Sequence, residues 1–334
     1  MLSFKRRSHA HCMIGVDFGS HSIKALALTG LPHACRLAAM ASVATPAGSI
    51  LDHQLQDIPP VVSALKQLRR LLDCSYHNVA TAVTGSSVTS KIIQVPASLT
   101  ADVLALHIDQ EAAQHLPFPL DEISLDFEVL GPSEQHPERN KVLLSAARTD
   151  NINSRVDALQ QAGWQTRVVD IGSHALARAI SALLVAQPHL VTIASPPDAP
   201  HLLAVVDIGA QGLTFMVMAD NEVIHTRLQH LVIDPLSTVA GHSEHIHRIA
   251  RHIQSNLQLF CSSSGHPAPA LLCVCGGGSQ LPELVPILSD TLNMTVLQPD
   301  FSAVFGGNSG DYPDAAVYGT ALGLALRSFS PCPI

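Results

Sequence analysis

VDFGSHSIKALAL, residues 16–28, decides how the rest of the chain reads. An apolar run ends in Asp17, turns through Gly19, Ser20, His21 and Ser22, and returns as a second run of β-type residues carrying Lys24. The residues after the turn have no helical repeat, so residues 13–16 and 23–28 read as a hairpin. In a P-loop or a dinucleotide-binding unit the glycine turn opens a helix, whose first N–H groups hold phosphate. A turn that leads back into a strand excludes both.

The same pattern recurs as VVDIGAQGLTFMVM at residues 205–218. The two aspartates are 190 positions apart (207 − 17), the spacing of two whole domains. Two such hairpins facing across a cleft would grip a polyphosphate between their turns, as backbone nests do. The contacts would come from Gly19, Ser20, His21 and Ser22 on one side and Gly209, Gln211 and Gly212 on the other. Asp17 and Asp207 would hold a hydrated Mg²⁺ through water, because Mg²⁺ loses its water reluctantly. Lys24 would reach the terminal phosphates. The plainer reading gives each aspartate only its own turn amides to satisfy; the repeat favours the clamp. A third element follows at residues 271–275, an apolar strand running into Gly276, Gly277 and Gly278. That bare backbone can lie against a base or ribose. Ser279 is placed to cap a helix with Pro282 and Glu283 in its first turn.

Bulk properties fit two soluble domains. The chain has 334 residues, 47% hydrophobic and 14% charged, beyond the size that one core usually serves. A formal charge of −8 and 4% aromatic residues argue against nucleic-acid binding. Seven scattered cysteines, an odd number, suit reduced thiols in a cytoplasmic setting. Lys5-Arg6-Arg7 is not followed by the apolar core of an export signal, and no run is long enough to span a bilayer.

Strands alternate with helices throughout, an α/β pattern. Helices are expected over 61–72, 99–115 (capped at Thr100), 152–162 (stopped by Gly163) and 175–186. Strands are expected over 79–83, 91–95, 124–130, 141–147, 165–171 and 202–207, with a proline-rich connector at 194–200. Ala315, Ala316, Gly319, Ala321 and Gly323 give the last helix small faces suited to close packing between two hinged domains, with small-residue core packing alone as the plainer account. Trp164 is expected to pack at a helix–strand corner, with a place in a partner groove as the alternative. His242, His245, His247 and His252 fall on different helix faces and lack a metal-site pattern; with 19 histidines in the chain they read as composition.

The three nucleotide motifs, in this order, resemble the phosphate 1, phosphate 2 and adenosine motifs of the actin-like ATPase superfamily. GSSVTSKIIQVPASL (85–99), QEAAQHLPFPLDEISLDFEVLGPS (110–133) and KVLLSAAR (141–148) resemble, within it, the PilM family of type IV pilus assembly. The resemblance covers about residues 1–229 and 247–327. It implies an actin-like, ribonuclease H-like two-domain fold. Subdomain 1A would comprise residues 11–87, 150–200 and 319–330, with an inserted subdomain 1C at 88–149. A second domain at 201–318 would have a reduced subdomain 2B. It also implies ATP and Mg²⁺ as ligands, with Ser279 beside the three glycines in the adenosine site. The expected role is a cytoplasmic adapter that binds the N-terminal peptide of a PilN-like inner-membrane protein in a groove between 1A and 1C. The adapter would reach the inner membrane and the pilus assembly machinery through that partner.

The related division protein FtsA carries a basic amphipathic C-terminal helix, which ALRSFSPCPI (325–334) cannot form. A sugar kinase needs a carboxylate base aimed at a sugar hydroxyl, and no such group stands out. Two departures from the superfamily bear on hydrolysis. Aligned through VVDIGSHALARAI (168–180), the usual polar, water-orienting position falls at Gly172, leaving Asp170 as the candidate catalytic group. The stretch after the second clamp, DPLSTVAGHSEHIHRIARHIQSNLQLF (234–260), has room for a loop and one long helix. A nucleotide-independent scaffold and a weak ATPase therefore both remain alternatives to a nucleotide-binding adapter.

Overall fold

A computed structural model describes residues 12–116, 119–133, 136–194, 201–231, 239–308, 310–312 and 314–329. Lys5–Arg7, Pro117 and most of the proline-rich connector fall outside them. The first half runs β1 (Ile14–Phe18), β2 (Ser22–Leu31), β3 (Ala34–Ala44), β4 (Ile50–Leu51), β5 (Gln54–Leu55), α1 (Ile58–Leu72) and β6 (Asn78–Val83). β7 (Val88–Pro96), α2 (Ala101–His115), β8 (Ile123–Pro132) and β9 (Arg139–Arg148) follow as a block. The chain then returns through α3 (Thr149–Gln161), β10 (Gln165–Ile171), α4 (Gly172–Ala186) and α5 (His189–Ala194). The second half comprises β11 (Leu202–Ile208), β12 (Gly212–Ala219), β13 (Glu222–His230), α6 (Val239–Ser264), β14 (Leu271–Cys275), α7 (Leu284–Leu292), β15 (Thr295–Leu297) and α8 (Gly319–Ala325).

Two five-stranded sheets repeat one topology. The first is ordered β10-β6-β1-β2-β3, the second β13-β12-β11-β14-β15. In each, a central strand (β1, β11) pairs antiparallel with the next strand and parallel with a later one. Strands buried on both faces account for near-continuous apolar runs such as LLCVC in β14. The block 88–148 forms a separate three-stranded sheet, β7-β9-β8. Leu104 and Ile108 of α2 cover it through Ile93, Val95, Val142 and Leu144.

α1 and α3 bury one face of the first sheet, and Trp164 belongs to that core at 3% exposure, the packed corner expected for it. α6 and α7 bury one face of the second sheet. The largest core lies between the sheets, where α4 and α8 meet Leu26 and Leu28 of β2 and Val205 and Met216 of β11 and β12. The small residues of α8 make that crossing tight. A β-carbon on Gly323 would fall 1.7 Å from the carbonyl oxygen of Ala175, and Gly15 of β1 is similarly closed by Ala321.

Several expectations need correction. Ser279 does not cap a helix. It lies inside a 3₁₀ turn, Gly277–Gln280, and α7 begins only at Leu284 after Glu283 in a left-handed conformation. Pro282 breaks the chain between the two. Thr100 has the backbone geometry of an N-cap, but its hydroxyl makes no capping bond. β3, β13 and β15 were not expected; β3 and β13 are half-exposed outer strands without clean alternation. The last helix is split into a 3₁₀ turn (Ala315–Tyr318), α8 and a second 3₁₀ turn (Leu326–Phe329).

Candidate functional site: a cleft between two hairpin turns

Both Asp-x-Gly turns close a hairpin at the same end of their sheets. In the first, Asp17 pairs with Lys24 across the strands, and Lys24 Nζ lies 3.6 Å from Asp17 Oδ2. The turn is anchored from behind: Thr45 donates its hydroxyl to the Gly19 carbonyl at 2.6 Å and its N–H to the His21 carbonyl at 3.0 Å. In the second, Asp207 pairs with Thr214, and Gly209 N donates to the Gly212 carbonyl at 2.8 Å.

Between the hairpins is a cavity of about 1070 Å³. Asp17, Gly19, Ser20, His21, Ser22 and Lys24 line one side, Asp207 and Gly209 the other, and Gly276, Gly277 and Gly278 a third. Each of these was expected from the sequence. Gln211, Gly212 and Ser279 do not line it. Gly212 is used in closing its own turn, and the Gln211 carbonyl accepts from Leu231 N at 3.2 Å. Ser279 is buried; it donates to the Gly276 carbonyl at 2.7 Å and accepts from Gln298 Nε2 at 3.1 Å.

The electrostatics of the cavity concern the two carboxylates. Burial, then the Asp17 charge, push the Asp207 carboxyl up to about 6, while Lys24 pulls it down. A cavity floor that strains a carboxylate in this way gains from a cation between the two acids, which tests the fit of a hydrated Mg²⁺ in its favour. The glycine wall fits a flat ligand as well. A β-carbon on Gly278 would fall 2.3 Å from Ile208 Cγ2, whereas one on Gly277 would meet nothing within 4 Å. Gly277 is thus the bare surface offered to the cavity.

Other cavity residues carried no readable signal in the sequence. His53 and its neighbour Asp52 form a two-residue turn between β4 and β5, both with positive φ. The His53 carbonyl accepts from Arg155 Nη2, and Arg155 also bonds to Asn151, which bonds in turn to Ser87 Oγ at 2.6 Å. Arg155 is fully buried under Phe18, and burial lowers its guanidinium to about 10 despite Asp17. Asp52 meets His230 of the second half at 3.5 Å, so this turn touches both sides of the cleft.

Asp170 and Gly172 differ from expectation in an instructive way. The Asp170 carboxylate is 3.0 Å from both Arg178 Nη2 and Arg327 Nε, and it is not among the residues lining the cavity. Gly172 does line it, at the first residue of α4, and its missing β-carbon would fall 2.1 Å from Thr84 Cγ2. A side chain there is excluded by Thr84, itself a cavity residue. The cavity extends from this point along Val88, Ser90 and Ile92 of β7 and Leu143 of β9. Ser90 Oγ bonds to His174 Nε2 at 3.2 Å, tying the three-stranded sheet to the start of α4.

The model of the family described as type IV pilus assembly protein PilM matches residues 15–232. Among solved structures, a PilM–PilN type IV pilus biogenesis complex superposes with a TM-score of 0.80 at 22% identity, over 96% of this chain and 99% of that one. The ethanolamine utilization protein EutJ from Carboxydothermus hydrogenoformans gives 0.50 at 16% identity, covering 94% and 89%. A diol dehydratase-reactivating factor in nucleotide-free form gives 0.50 at 8%, covering 95% and 99%. Two sheets of repeated topology closed around one cleft, and a family match across both Asp-x-Gly hairpins, place this chain in the PilM family of type IV pilus assembly proteins, with an actin-like ATPase fold.

Proposed function

We propose that the protein is an ATP·Mg²⁺-binding adapter of type IV pilus assembly, acting on the cytoplasmic side of the inner membrane. The observation that carries the nucleotide part is the placement of Asp17 and Asp207 on opposite walls of one cavity with Lys24 and Gly276–Gly278. Bound Mg²⁺ would neutralise charge on the phosphates and between the two aspartates. Asp17 and Asp207 would hold its water, the turns of Gly19–Ser22 and Gly209 the phosphates, Lys24 the terminal phosphates, and Gly277 the adenosine.

The partner part rests on the three-stranded sheet. Residues 88–149 contain that sheet and α2, and so correspond to the inserted subdomain 1C, with 11–87, 150–200 and 319–330 as subdomain 1A. Within the second domain (201–318), α6 is the long helix after β13 that a reduced subdomain 2B leaves room for. The cavity wall along β7 and Leu143 supports a groove between 1A and 1C for the N-terminal peptide of a PilN-like membrane protein. The neighbouring PilM–PilN complex supports the same partner. Because His174 links β7 to α4 beside the nucleotide cavity, the peptide and nucleotide sites share a wall.

A second reading, a scaffold that no longer uses nucleotide, is favoured by Thr84 filling the place of a polar side chain at position 172. Calorimetric titration of ATP with Mg²⁺ separates the two, with Asp207→Ala as control. Micromolar binding lost in the variant supports the clamp. No heat at millimolar ATP from a folded protein leaves the peptide groove as the function, to be titrated with the PilN-like peptide itself.

A further inference from the structure

The end of the first sheet opposite the cleft carries charge of the reverse sign to the chain as a whole. β1 starts there, with Ile14 against Val79 of β6, and Gln165 of β10 against Asn78. α1 runs from the cleft-side turn back to the start of β6 and so ends there too. Its final turns present Lys66 and Arg70, both exposed, at a shallow cavity of about 670 Å³ whose wall includes Asp73, Cys74 and Gly163. Arg69, in the same wall, lies over Gly163. It donates to the carbonyl of Ala162 at the end of α3 at 3.3 Å and meets His77 Nδ1 at 3.2 Å.

More cations and two leucines share this end. Arg167 donates to Asn78 Oδ1 at 3.0 Å, and Arg36 of β3 pairs with Thr29 near the end of β2. Tyr76 contacts both Thr29 and Cys12, joining the ends of β2 and β1. Leu31, at the end of β2, and Leu71, in the last turn of α1, are each 56% exposed.

We propose that this basic end, with Leu31 and Leu71, is a docking surface for an anionic lipid bilayer. The protein is −8 overall, so a concentration of cations on one end runs against its composition and complements a negative surface. Lys66 and Arg70 share one shallow cavity wall, while Arg167 of β10 and Arg36 of β3 stand on the two edge strands of the sheet, a spread that suits a field of headgroups. Two isolated exposed leucines can enter the headgroup boundary without a shaped partner. Docked in this way, the protein would keep its nucleotide cleft pointing away from the membrane. The proposal does not rest on nucleotide binding.

The test is flotation of the full chain with phosphatidylcholine vesicles, with and without phosphatidylglycerol, at low and high salt. Binding only to the anionic vesicles, weakened by salt, is expected. Lys66→Gln with Arg70→Gln is expected to lower the partition by on the order of tenfold or more, since each basic residue near an anionic surface adds several-fold. Arg251→Gln, at an exposed position of α6 in the second half, serves as a charge control and leaves binding unchanged. Leu71→Ser, or Leu31→Ser if the double variant melts early, lowers binding while keeping its salt dependence. Absence of flotation with anionic vesicles at low salt overturns the proposal, as does undiminished binding by the folded double variant; the surface would then suit an acidic protein.

Discussion

A β-carbon on Gly276 would lie 2.1 Å from Oδ1 of Asp207. The glycine wall of the cavity is therefore fitted onto the carboxylate of the second hairpin, and a carboxylate at 207 requires bare backbone at 276. Gly276 also has φ 80° and ψ 177°, a conformation that other residues rarely adopt. Gly277, one position on, faces open space.

Gly276→Ala and Gly277→Ala should separate stability from binding. The first combines backbone strain with a clash and is expected to cost on the order of 3 kcal/mol, with loss of ATP binding. The second should change stability by less than about 1 kcal/mol, yet weaken ATP, because its methyl enters the cavity. Thermal melting beside calorimetry checks both; equal melting points for the two variants would contradict the assignment.

Asp207 makes the apo protein pH-sensitive. Its carboxyl is held at about 6, whereas an unfolded aspartate titrates near 4. The folded state therefore binds this proton more tightly. The contribution is complete below about pH 4 and is lost as pH rises through about 6, up to about 3 kcal/mol. Asp207→Asn should raise the melting temperature at pH 8 without Mg²⁺, change little at pH 4, and abolish Mg²⁺-dependent ATP binding. A variant no more stable than the parent at pH 8 would show that the carboxylate is not strained.

Asp170 is expected to matter for the fold and not for nucleotide. Burial raises its carboxyl, but Arg178 and Arg327 together bring it below the ordinary carboxylate range. Its stabilisation is present above about pH 4 and lost as pH falls through the lowered value. Asp170→Ala leaves two arginines without their shared anion and should cost about 3–5 kcal/mol. ATP affinity of the folded fraction should stay unchanged in calorimetry, and a selective loss of affinity would return Asp170 to the site.

Thr84 and Gly172 should behave as a coupled pair. Gly172→Ala alone should destabilise by about 1–3 kcal/mol through the clash with the Thr84 methyl. Thr84→Gly should relieve most of that in the double variant. Additive losses in denaturant unfolding would mean that the two side chains do not compete for one space.

The hairpins were legible because their signal is local. Asp, Gly and a returning β-type run fall within thirteen residues, and the register Asp17 to Lys24 follows from the turn. The helices of strong periodicity were legible for the same reason; α1, for example, buries Val61, Leu65, Leu68 and Leu72. Ser279 differs from expectation because Pro282 and Glu283 suit a helix start, while the chain takes a 3₁₀ turn over Gly277–Gln280 with no room for a side chain at Gly278 beside Ile208. β3 and β13 lacked a clean alternation because they lie outside the central strands and are only partly covered.

Sequence alone determined the two Asp-x-Gly hairpins, the glycine run beside them and the family, because turn chemistry and motif order are written along the chain. Tertiary structure alone decided which side chains share the cavity. His53 and Thr84 line it, and Arg155 holds the His53 turn from beneath, although they stand far apart in sequence. Their meeting depends on packing within the first half, where α3 lies against β5 and brings Arg155 under the His53 turn. Gly172 shows the division most clearly. In the sequence it is a missing polar group; in the fold it is the space that the Thr84 methyl needs, and only packing in three dimensions can say so.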